Sequence, residues 1–140
     1  MPKHKSKSLK DTQKIAKQFL KNLTTGQTFI FTGDLGGGKT TFTKALAKEL
    51  KIKKIITSPT FVLLKTYSIK NHPFLKTLCH IDVYRLSSAD ELLAIGINEY
   101  QNNPTCLTII EWGEKIKNIL DKPQTVFFKT LGKNSREIIF

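Results

Sequence analysis

Apolar residues along this chain recur with two spacings, one typical of helices and one typical of strands. The helical spacing predicts a first helix that begins at Ser8 and ends at Gly26, and a second helix over residues 40–50. Residues 88–91 have the form of a capping box, which predicts a short third helix that is ended by Gly96.

Runs rich in β-branched and aromatic residues predict the strands of a sheet. These runs are residues 28–32, 61–67, 75–84, 105–110, 125–130 and 136–140. A turn signal at residues 71–73 joins the second run to the third, so we expect an antiparallel hairpin there, and Gly132 marks another hairpin near the end of the chain. Helices and strands in this order predict an α/β fold with a mixed, partly antiparallel sheet flanked by helices.

The connection between the first of these strands and the second helix is rich in glycine. From Gly33 to Thr40 it matches the G-x-x-x-x-G-K-[ST] pattern of a phosphate-binding loop. The run Gly36-Gly37-Gly38 lets several backbone N–H groups point at phosphate oxygens, and the helix N-terminus behind it adds partial positive charge. Lys39 can reach the outer phosphates, and the Thr40 hydroxyl can ligate magnesium. The sequence therefore predicts a three-layer P-loop NTPase fold.

Composition limits the class of protein. The 140 residues suit a single P-loop domain over residues 1–140, in which we expect only residues 1–7 to be mobile. The sequence holds no run of about 18 apolar residues, which argues against a membrane span, and its start lacks the apolar block of a signal peptide. A cytoplasmic location is the resulting expectation. Cys79 and Cys106 form no C-x-x-C pair and lie in separate predicted strands, so we expect buried free thiols.

The charge of the chain is strongly positive and unevenly distributed. The net charge is +12 at pH 7. Residues 1–57 hold thirteen Lys and three acids, a balance of +10, whereas residues 58–140 hold ten Lys or Arg and eight acids, a balance of +2. A basic leading half can attract tRNA, DNA or an acidic protein surface. A lysine-biased proteome would give the same excess, and this alternative fits the presence of only two Arg among 23 basic residues.

Two acids stand at the ends of apolar strands, where a nucleotide-hydrolysing site needs them. Glu111 follows residues 106–110, and Asp82 follows residues 78–81. One acid would bind the metal and the other would polarise the attacking water or sense the γ-phosphate, and the sequence leaves these roles unassigned. For either acid the alternative is a surface residue or a helix cap at the end of a strand.

Further polar residues accompany these acids. His80 and Tyr84 lie two residues to either side of Asp82 and therefore on the same strand face. His80 can orient the acid or a phosphate-bound water, and a structural histidine is the alternative. Arg85 and Arg136 are the only arginines, and a guanidinium suits bidentate pairing with phosphate or carboxylate.

A candidate switch segment, Ser58-Pro59-Thr60-Phe61, lies between the second helix and the hairpin. In P-loop switches a loop at this position carries a hydroxyl that responds to the γ-phosphate and its metal. Ser58 or Thr60 can supply such a hydroxyl. A proline turn whose hydroxyls bond its own backbone is the alternative. By themselves the residues fit an ATPase, a small P-loop kinase, or a nucleotide-dependent switch that binds RNA or protein.

Four motifs in order give the chain a more specific resemblance. They are G-D-L-G-G-G-K-T-T, S-P-T-F, H-I-D-V-Y-R-L and an apolar strand that ends in E-W. This set resembles the TsaE (YjeE) family of small bacterial P-loop ATPases, which are needed for the threonylcarbamoyladenosine modification of tRNA. The resemblance implies ATP as substrate, Mg²⁺ as cofactor, and weak hydrolysis that cycles the protein pair TsaD–TsaB beside the anticodon. The basic leading half would then face tRNA or an acidic partner surface.

The resemblance also implies roles for individual residues. Lys39, Asp82 and Glu111 would be catalytic, and Thr40 would ligate the metal together with Glu111 or Asp82. Residues that would contact the nucleotide are Thr12, Gly36, Gly37, Gly38, Lys39, Thr40, Thr41 and Arg136. Residues at switch or partner positions are Ser58, Thr60, His80, Tyr84, Arg85 and Trp112. For Trp112 the alternative is a large core aromatic.

Overall fold

Seven strands form one sheet in residues 1–59 and 63–140, the parts of the chain that the computed structural model describes. The strands are β1 Lys3–Ser6, β2 Thr28–Gly33, β3 Leu64–Ser68, β4 Thr77–Asp82, β5 Cys106–Glu111, β6 Gln124–Gly132 and β7 Ser135–Ile139. Their spatial order is β1-β7-β6-β2-β5-β4-β3. The four central strands β6, β2, β5 and β4 are parallel, and β3, β7 and β1 add antiparallel edges. The predicted mixed sheet and both predicted hairpins are therefore confirmed.

Helices cover both faces of this sheet. They are α1 Leu9–Lys21, α2 Lys39–Glu49 and α3 Ala89–Ala94, with 3-10 helices at Ile97–Glu99 and Gly113–Ile119. One apolar core joins α1 and α2 to one face of the sheet, with Phe19, Phe31 and Phe42 at its centre. A second core joins α3 and both 3-10 helices to the opposite face, around Ile81 and Leu92. These layers form a P-loop NTPase fold.

The alternation of side chains along the strands decides which face carries chemistry. In β5, Leu107 and Ile109 pack toward α1 and α2, whereas Ile110 packs toward the opposite layer. Because side chains alternate with a period of two, Glu111 shares the face that carries α2. In β4 the same rule places Asp82 on this face, directly beside Glu111 in the register of the parallel pair. Both acids therefore lie near the N-terminus of α2.

The start of the chain is ordered, which corrects the expectation that residues 1–7 are mobile. Residues 3–6 pair with residues 136–139 as the edge strand β1. The Ser6 side chain is buried and its hydroxyl lies 2.7 Å from the Thr12 hydroxyl. His4 stacks on Phe140 with ring centroids 4.4 Å apart. The hydrogen-bond ladder to β7 supplies the order that a polar sequence does not indicate.

One predicted helix boundary and one predicted capping bond differ from the structure. Helix α1 begins at the predicted cap, where the Ser8 hydroxyl accepts the N–H of Asp11 at 3.1 Å, but it ends at Lys21 instead of Gly26. Gly26 serves a close backbone approach, since a Cβ there would lie 2.5 Å from the Cys106 carbonyl oxygen. Helix α3 begins where the capping box predicts, yet the Ser88 side chain makes no capping bond.

The two cysteines are buried and free, as predicted. They lie on the neighbouring strands β4 and β5 and pack into the core beneath α3. Burial raises the pKa of both thiols, so they remain protonated apolar groups. In the described part of the chain, no helix has both the length and the apolar character needed to cross a membrane.

Candidate nucleotide-binding site

The glycine-rich loop connects the end of β2 to the start of α2. Gly38 lies immediately before α2 with φ +98°, and Gly36 has φ +75°, a region that L side chains adopt at a cost. A Cβ on Gly38 would also lie 2.1 Å from Nη1 of Arg136. Gly38 is therefore required both for its backbone angle and for the close approach of an arginine.

This loop borders a cavity of about 470 Å³. Its lining holds thirteen of the residues that the sequence predicted for the site: Gly36, Gly37, Gly38, Lys39, Thr40, Thr41, Ser58, Asp82, Tyr84, Arg85, Glu111, Trp112 and Arg136. His80 and Thr12 lie outside the lining, and Thr60 lies outside the described residues. The structure therefore brings most of the predicted site residues to one cavity.

Lys39 is folded back onto the loop that precedes it. Its Nζ donates hydrogen bonds to the carbonyl oxygens of Gly33 at 2.9 Å and Asp34 at 2.8 Å. The same ammonium lies 4.2 Å from the centroid of the Trp112 ring, a cation–π contact. Burial lowers the pKa of Lys39, and nearby carboxylates, Glu111 foremost, oppose that shift. The Lys39 ammonium therefore lies beside the phosphate loop, and its present partners are two backbone carbonyls and an aromatic ring, which an anion can replace.

Thr40 and Glu111 form the second contact of the site. The Thr40 hydroxyl donates to both carboxylate oxygens of Glu111, at 2.8 and 3.1 Å. A hydroxyl and a carboxylate at the N-terminus of α2 are the hard oxygen donors that Mg²⁺ prefers. The donor set therefore fits magnesium.

His80 contacts the same carboxylate, that of Glu111, through its buried imidazole. Its Nε2 lies 2.8 Å from Oε1 of Glu111, and the imidazole is fully buried. Because a carboxylate accepts hydrogen bonds, we assign the imidazole proton to Nε2. The other ring nitrogen, Nδ1, is buried and has no hydrogen-bond partner among the described residues. His80 thus contacts Glu111 and not Asp82, the acid that follows it on its own strand.

Asp82 connects the candidate switch segment to the site. The Ser58 hydroxyl donates to its Oδ2 at 3.0 Å, and the backbone N–H of Tyr84 donates to its Oδ1 at 2.9 Å. The side chain is almost fully buried at the cavity wall. A movement of Ser58 would therefore release one of the two hydrogen bonds that orient this carboxylate.

An aromatic pair closes one side of the cavity. The rings of Tyr84 and Trp112 lie 5.0 Å apart, and the Lys115 ammonium lies 4.9 Å from the centroid of the Tyr84 ring. Trp112 has φ +62°, a left-handed backbone that is uncommon for an aromatic residue. Its position against Lys39 shows that Trp112 is more than a core aromatic, although it also packs against the second core.

Thr12 lines a neighbouring cavity and not the one that the glycine loop borders. It lines a neighbouring space of about 250 Å³ together with Ser6, Ser8 and Arg136. Arg136 lines both spaces, so its guanidinium stands between Thr12 and Gly38. Thr12 itself is buried, and its hydroxyl donates to the carbonyl of Ser8 at 3.2 Å. The structure therefore places Thr12 beside the main cavity and not on its wall.

Some residues of the site were not found by sequence reasoning. Leu35 lines the cavity with its side chain 76% exposed, and the carbonyl of Asp34 accepts from Lys39. Lys115 also donates to the Tyr84 carbonyl at 2.6 Å. An exposed apolar residue inside a glycine loop was a usable signal for Leu35. Backbone acceptors and a lysine from a separate 3-10 helix leave no signal in the sequence.

Taken together, a glycine loop between a strand and a helix N-terminus, its lysine, the following hydroxyl and a strand-end carboxylate define a P-loop nucleotide-binding protein. A family profile described as "Threonylcarbamoyl adenosine biosynthesis protein TsaE" matches residues 6–138. The chain therefore belongs to the TsaE family, and its predicted resemblance is confirmed.

Individual relatives agree with this assignment. Proteins named tRNA threonylcarbamoyladenosine biosynthesis protein TsaE are 38% identical in Rickettsia typhi and 39% identical in Treponema pallidum. These alignments cover 95% of this chain and 90% and 95% of the two relatives. The crystal structure of Bacillus subtilis YdiB superposes with a TM-score of 0.75 at 31% identity, covering 98% of this chain and 82% of YdiB.

Proposed function

We propose that this chain is the ATP-hydrolysing subunit of the bacterial machinery that forms threonylcarbamoyladenosine next to the tRNA anticodon. In this proposal it acts with TsaD and TsaB and drives their catalytic cycle. One observation carries the ATPase part, namely the Thr40 hydroxyl on the Glu111 carboxylate at the start of the helix behind the loop. Membership of the TsaE family supports the pathway.

In the proposed mechanism the loop binds and orients the phosphates. The glycine loop and the N-terminus of α2 bind the anion, and Lys39 exchanges the carbonyls of Gly33 and Asp34 for phosphate oxygens. The Gly37 N–H, which donates to the Asp34 carbonyl at 2.8 Å, would exchange that partner in the same way. Arg136, which packs on Gly38, adds a second positive charge to the same cradle. These contacts hold the triphosphate and stabilise the charge that develops on it.

The carboxylates of Glu111 and Asp82 have different roles in the proposed mechanism. We assign Glu111 and Thr40 to the magnesium, which they would hold and which would supply positive charge beside the phosphates. His80 orients the Glu111 carboxylate by its hydrogen bond to Oε1. We assign Asp82 to the attacking water, because its orientation depends on Ser58 of the candidate switch segment. Tyr84, Arg85 and Trp112 form the rim at which partner proteins would act.

The test of this function is ATP hydrolysis by the purified chain alone, with TsaD–TsaB, and with TsaD–TsaB plus tRNA. We expect slow phosphate release from the chain alone and a clear increase with the partners. The product separates the alternatives, because a small P-loop kinase would transfer the phosphate to an acceptor and a binding switch would show negligible turnover. Absence of stimulation in every combination would contradict the assignment to this complex.

Tryptophan fluorescence offers a direct measure of nucleotide binding. Trp112 is the only Trp of the chain, and the Lys39 ammonium lies over its ring. We expect ATP or ADP to change the emission of Trp112, because Lys39 leaves the ring when it contacts phosphate. Calorimetry on a Lys39→Met variant provides the control, with weaker binding and a smaller change at saturation. A full emission change in Lys39→Met at saturation would show that Lys39 is not the reporter.

A further inference from the structure

Lys115 is an exposed lysine whose ammonium makes two contacts with the same residue, Tyr84. Its Nζ donates a hydrogen bond to the Tyr84 carbonyl at 2.6 Å and lies 4.9 Å from the centroid of the Tyr84 ring. A hydrogen bond from a cation is stronger than one between neutral groups, and the ring adds a cation–π attraction. Among the described residues Lys115 forms no ion pair, so its partners are the carbonyl and the ring of Tyr84 instead of a carboxylate.

The segment that carries Lys115 is fixed to the core. Lys115 lies in the 3-10 helix Gly113–Ile119, which begins directly after Trp112. A Cβ on Gly113 would lie 2.9 Å from an isoleucine side chain of β2, and the Ile116 side chain is buried. The backbone N–H of Lys115 also donates to the Trp112 carbonyl at 3.2 Å. The Lys115 side chain therefore extends from an element that is packed on both sides of it.

The segment that Lys115 contacts has less support of its own. Residues 83–88, all in the described part of the chain, connect β4 to α3 without a strand or a helix, and the Tyr84 side chain is 46% exposed. The backbone N–H of Tyr84 donates to Oδ1 of Asp82 at 2.9 Å, and its carbonyl accepts from Lys115. The two polar backbone groups of Tyr84 therefore connect Lys115 to Asp82.

This connection orients one oxygen of the Asp82 carboxylate. Oδ2 accepts from the Ser58 hydroxyl of the candidate switch segment, and Oδ1 accepts only from the Tyr84 N–H among the described residues. If the Tyr84 carbonyl loses its cationic partner, the backbone at residue 84 is freer to rotate and its N–H is no longer held toward Oδ1. A misplaced catalytic group lowers the rate of a reaction even where the affinity for the substrate is kept.

We propose that Lys115 is a positioning residue for ATP hydrolysis, which orients the Asp82 carboxylate through the backbone of Tyr84. This inference rests on the proposed function, in which Asp82 acts on the attacking water. Lys115 is absent from the described lining of the nucleotide cavity, so it is not itself a catalytic residue. Loss of its ammonium is therefore expected to lower kcat and to leave the affinity for ATP nearly unchanged.

The test compares Lys115→Met, Lys115→Arg and Lys117→Met in the full-length chain. Methionine keeps an unbranched side chain without an N–H donor or a charge, whereas arginine retains both. Lys117 is the matched control, because it is exposed in the same 3-10 helix and its replacement removes the same charge. In ATP hydrolysis stimulated by TsaD–TsaB, we expect Lys115→Met to lower kcat by about tenfold and to change KM by less than about twofold. Lys115→Arg is expected to restore most of kcat, and Lys117→Met to keep it.

Hydrogen exchange of the Tyr84 amide, followed by NMR, measures the same contact without hydrolysis. We expect this amide to exchange faster in Lys115→Met than in the wild-type chain, and at the wild-type rate in Lys115→Arg and Lys117→Met. Unchanged exchange in Lys115→Met would overturn the proposal, because Lys115 would then not hold residue 84. Faster exchange with full kcat would also overturn it, since the contact would then serve the structure alone.

An Asp82→Asn background separates this inference from the proposed function. If Lys115 acts through Asp82, adding Lys115→Met to Asp82→Asn lowers kcat much less than Lys115→Met does in the wild-type chain. Equal decreases in the two backgrounds would reject the route through Asp82 and leave the proposed function intact. A wild-type chain that hydrolyses no ATP, alone or with TsaD–TsaB and tRNA, would reject the proposed function and with it this role. Faster exchange of the Tyr84 amide in Lys115→Met would then still identify the contact, as a structural one.

Discussion

Replacing Glu111 with Gln is expected to lower partner-stimulated ATP hydrolysis by about a hundredfold or more while nucleotide affinity changes only a few-fold. The Glu111 carboxylate accepts hydrogen bonds from the Thr40 hydroxyl at 2.8 Å and from His80 Nε2 at 2.8 Å. A Gln side chain has the same shape but carries no charge and offers only one acceptor oxygen. Its NH₂ group would replace Oε2, so the 3.1 Å contact from the Thr40 hydroxyl is lost together with the negative charge that we propose holds magnesium.

Glu114→Gln is the matched control for this prediction. Glu114 is exposed, lies three residues later in the chain, and interacts with Lys39 only through its charge. The measurement is steady-state phosphate release in the presence of TsaD–TsaB, with calorimetry for nucleotide affinity and a thermal melt to verify folding. Full stimulated turnover in Glu111→Gln would remove Glu111 from the catalytic residues and leave Asp82 as the acid to test.

The position of Glu111 follows from the strand that it ends, and this position could be predicted from the sequence. A buried parallel strand is an apolar run, and the acid that ends it must emerge at the carboxyl edge of the sheet. The phosphate loop has fixed spacing and local context, so the same reasoning places Lys39 and Thr40 at that edge. Local patterns therefore predicted that Lys39, Thr40 and Glu111 lie together at this edge of the sheet.

Contacts between distant segments could not be predicted in this way. Arg136 packs on Gly38 across 98 positions of the sequence, and β1 is ordered by pairing with β7 although its own residues are polar. His80 was expected to orient Asp82 or a phosphate-bound water, but it contacts Glu111 through a diagonal contact between β4 and β5. The energy of each contact comes from tertiary packing, which leaves no periodicity in the sequence.

Replacing Gly38 with Ala is expected to weaken nucleotide binding by at least about tenfold, because it displaces a charged group worth roughly 1.5–3 kcal/mol in its hydrogen bonds. An alanine Cβ at this position would lie 2.1 Å from Nη1 of Arg136. The guanidinium is the end of a flexible side chain, so it would move away from the phosphate loop and leave the backbone in place. Binding of ADP and ATP by calorimetry measures the decrease in affinity.

Gly36→Ala separates this displacement from backbone strain. Gly36 also has a positive φ, +75° against +98° for Gly38, but a Cβ there meets no atom within 4 Å. Both alanines carry the strain of a left-handed backbone, and only the one at residue 38 also moves Arg136. We therefore expect Gly36→Ala to bind nucleotide more tightly than Gly38→Ala. Equal decreases in the two variants would assign the whole effect to the backbone.

The Arg136→Ala variant completes a double-mutant cycle. If Gly38→Ala acts by displacing Arg136, then adding Gly38→Ala to Arg136→Ala costs only the strain seen in Gly36→Ala. The two substitutions then fail to add, and the shortfall measures the contribution of the guanidinium to phosphate binding. Additive effects would mean that Arg136 contacts the nucleotide whether or not residue 38 carries a Cβ, and that the glycine serves the loop conformation alone.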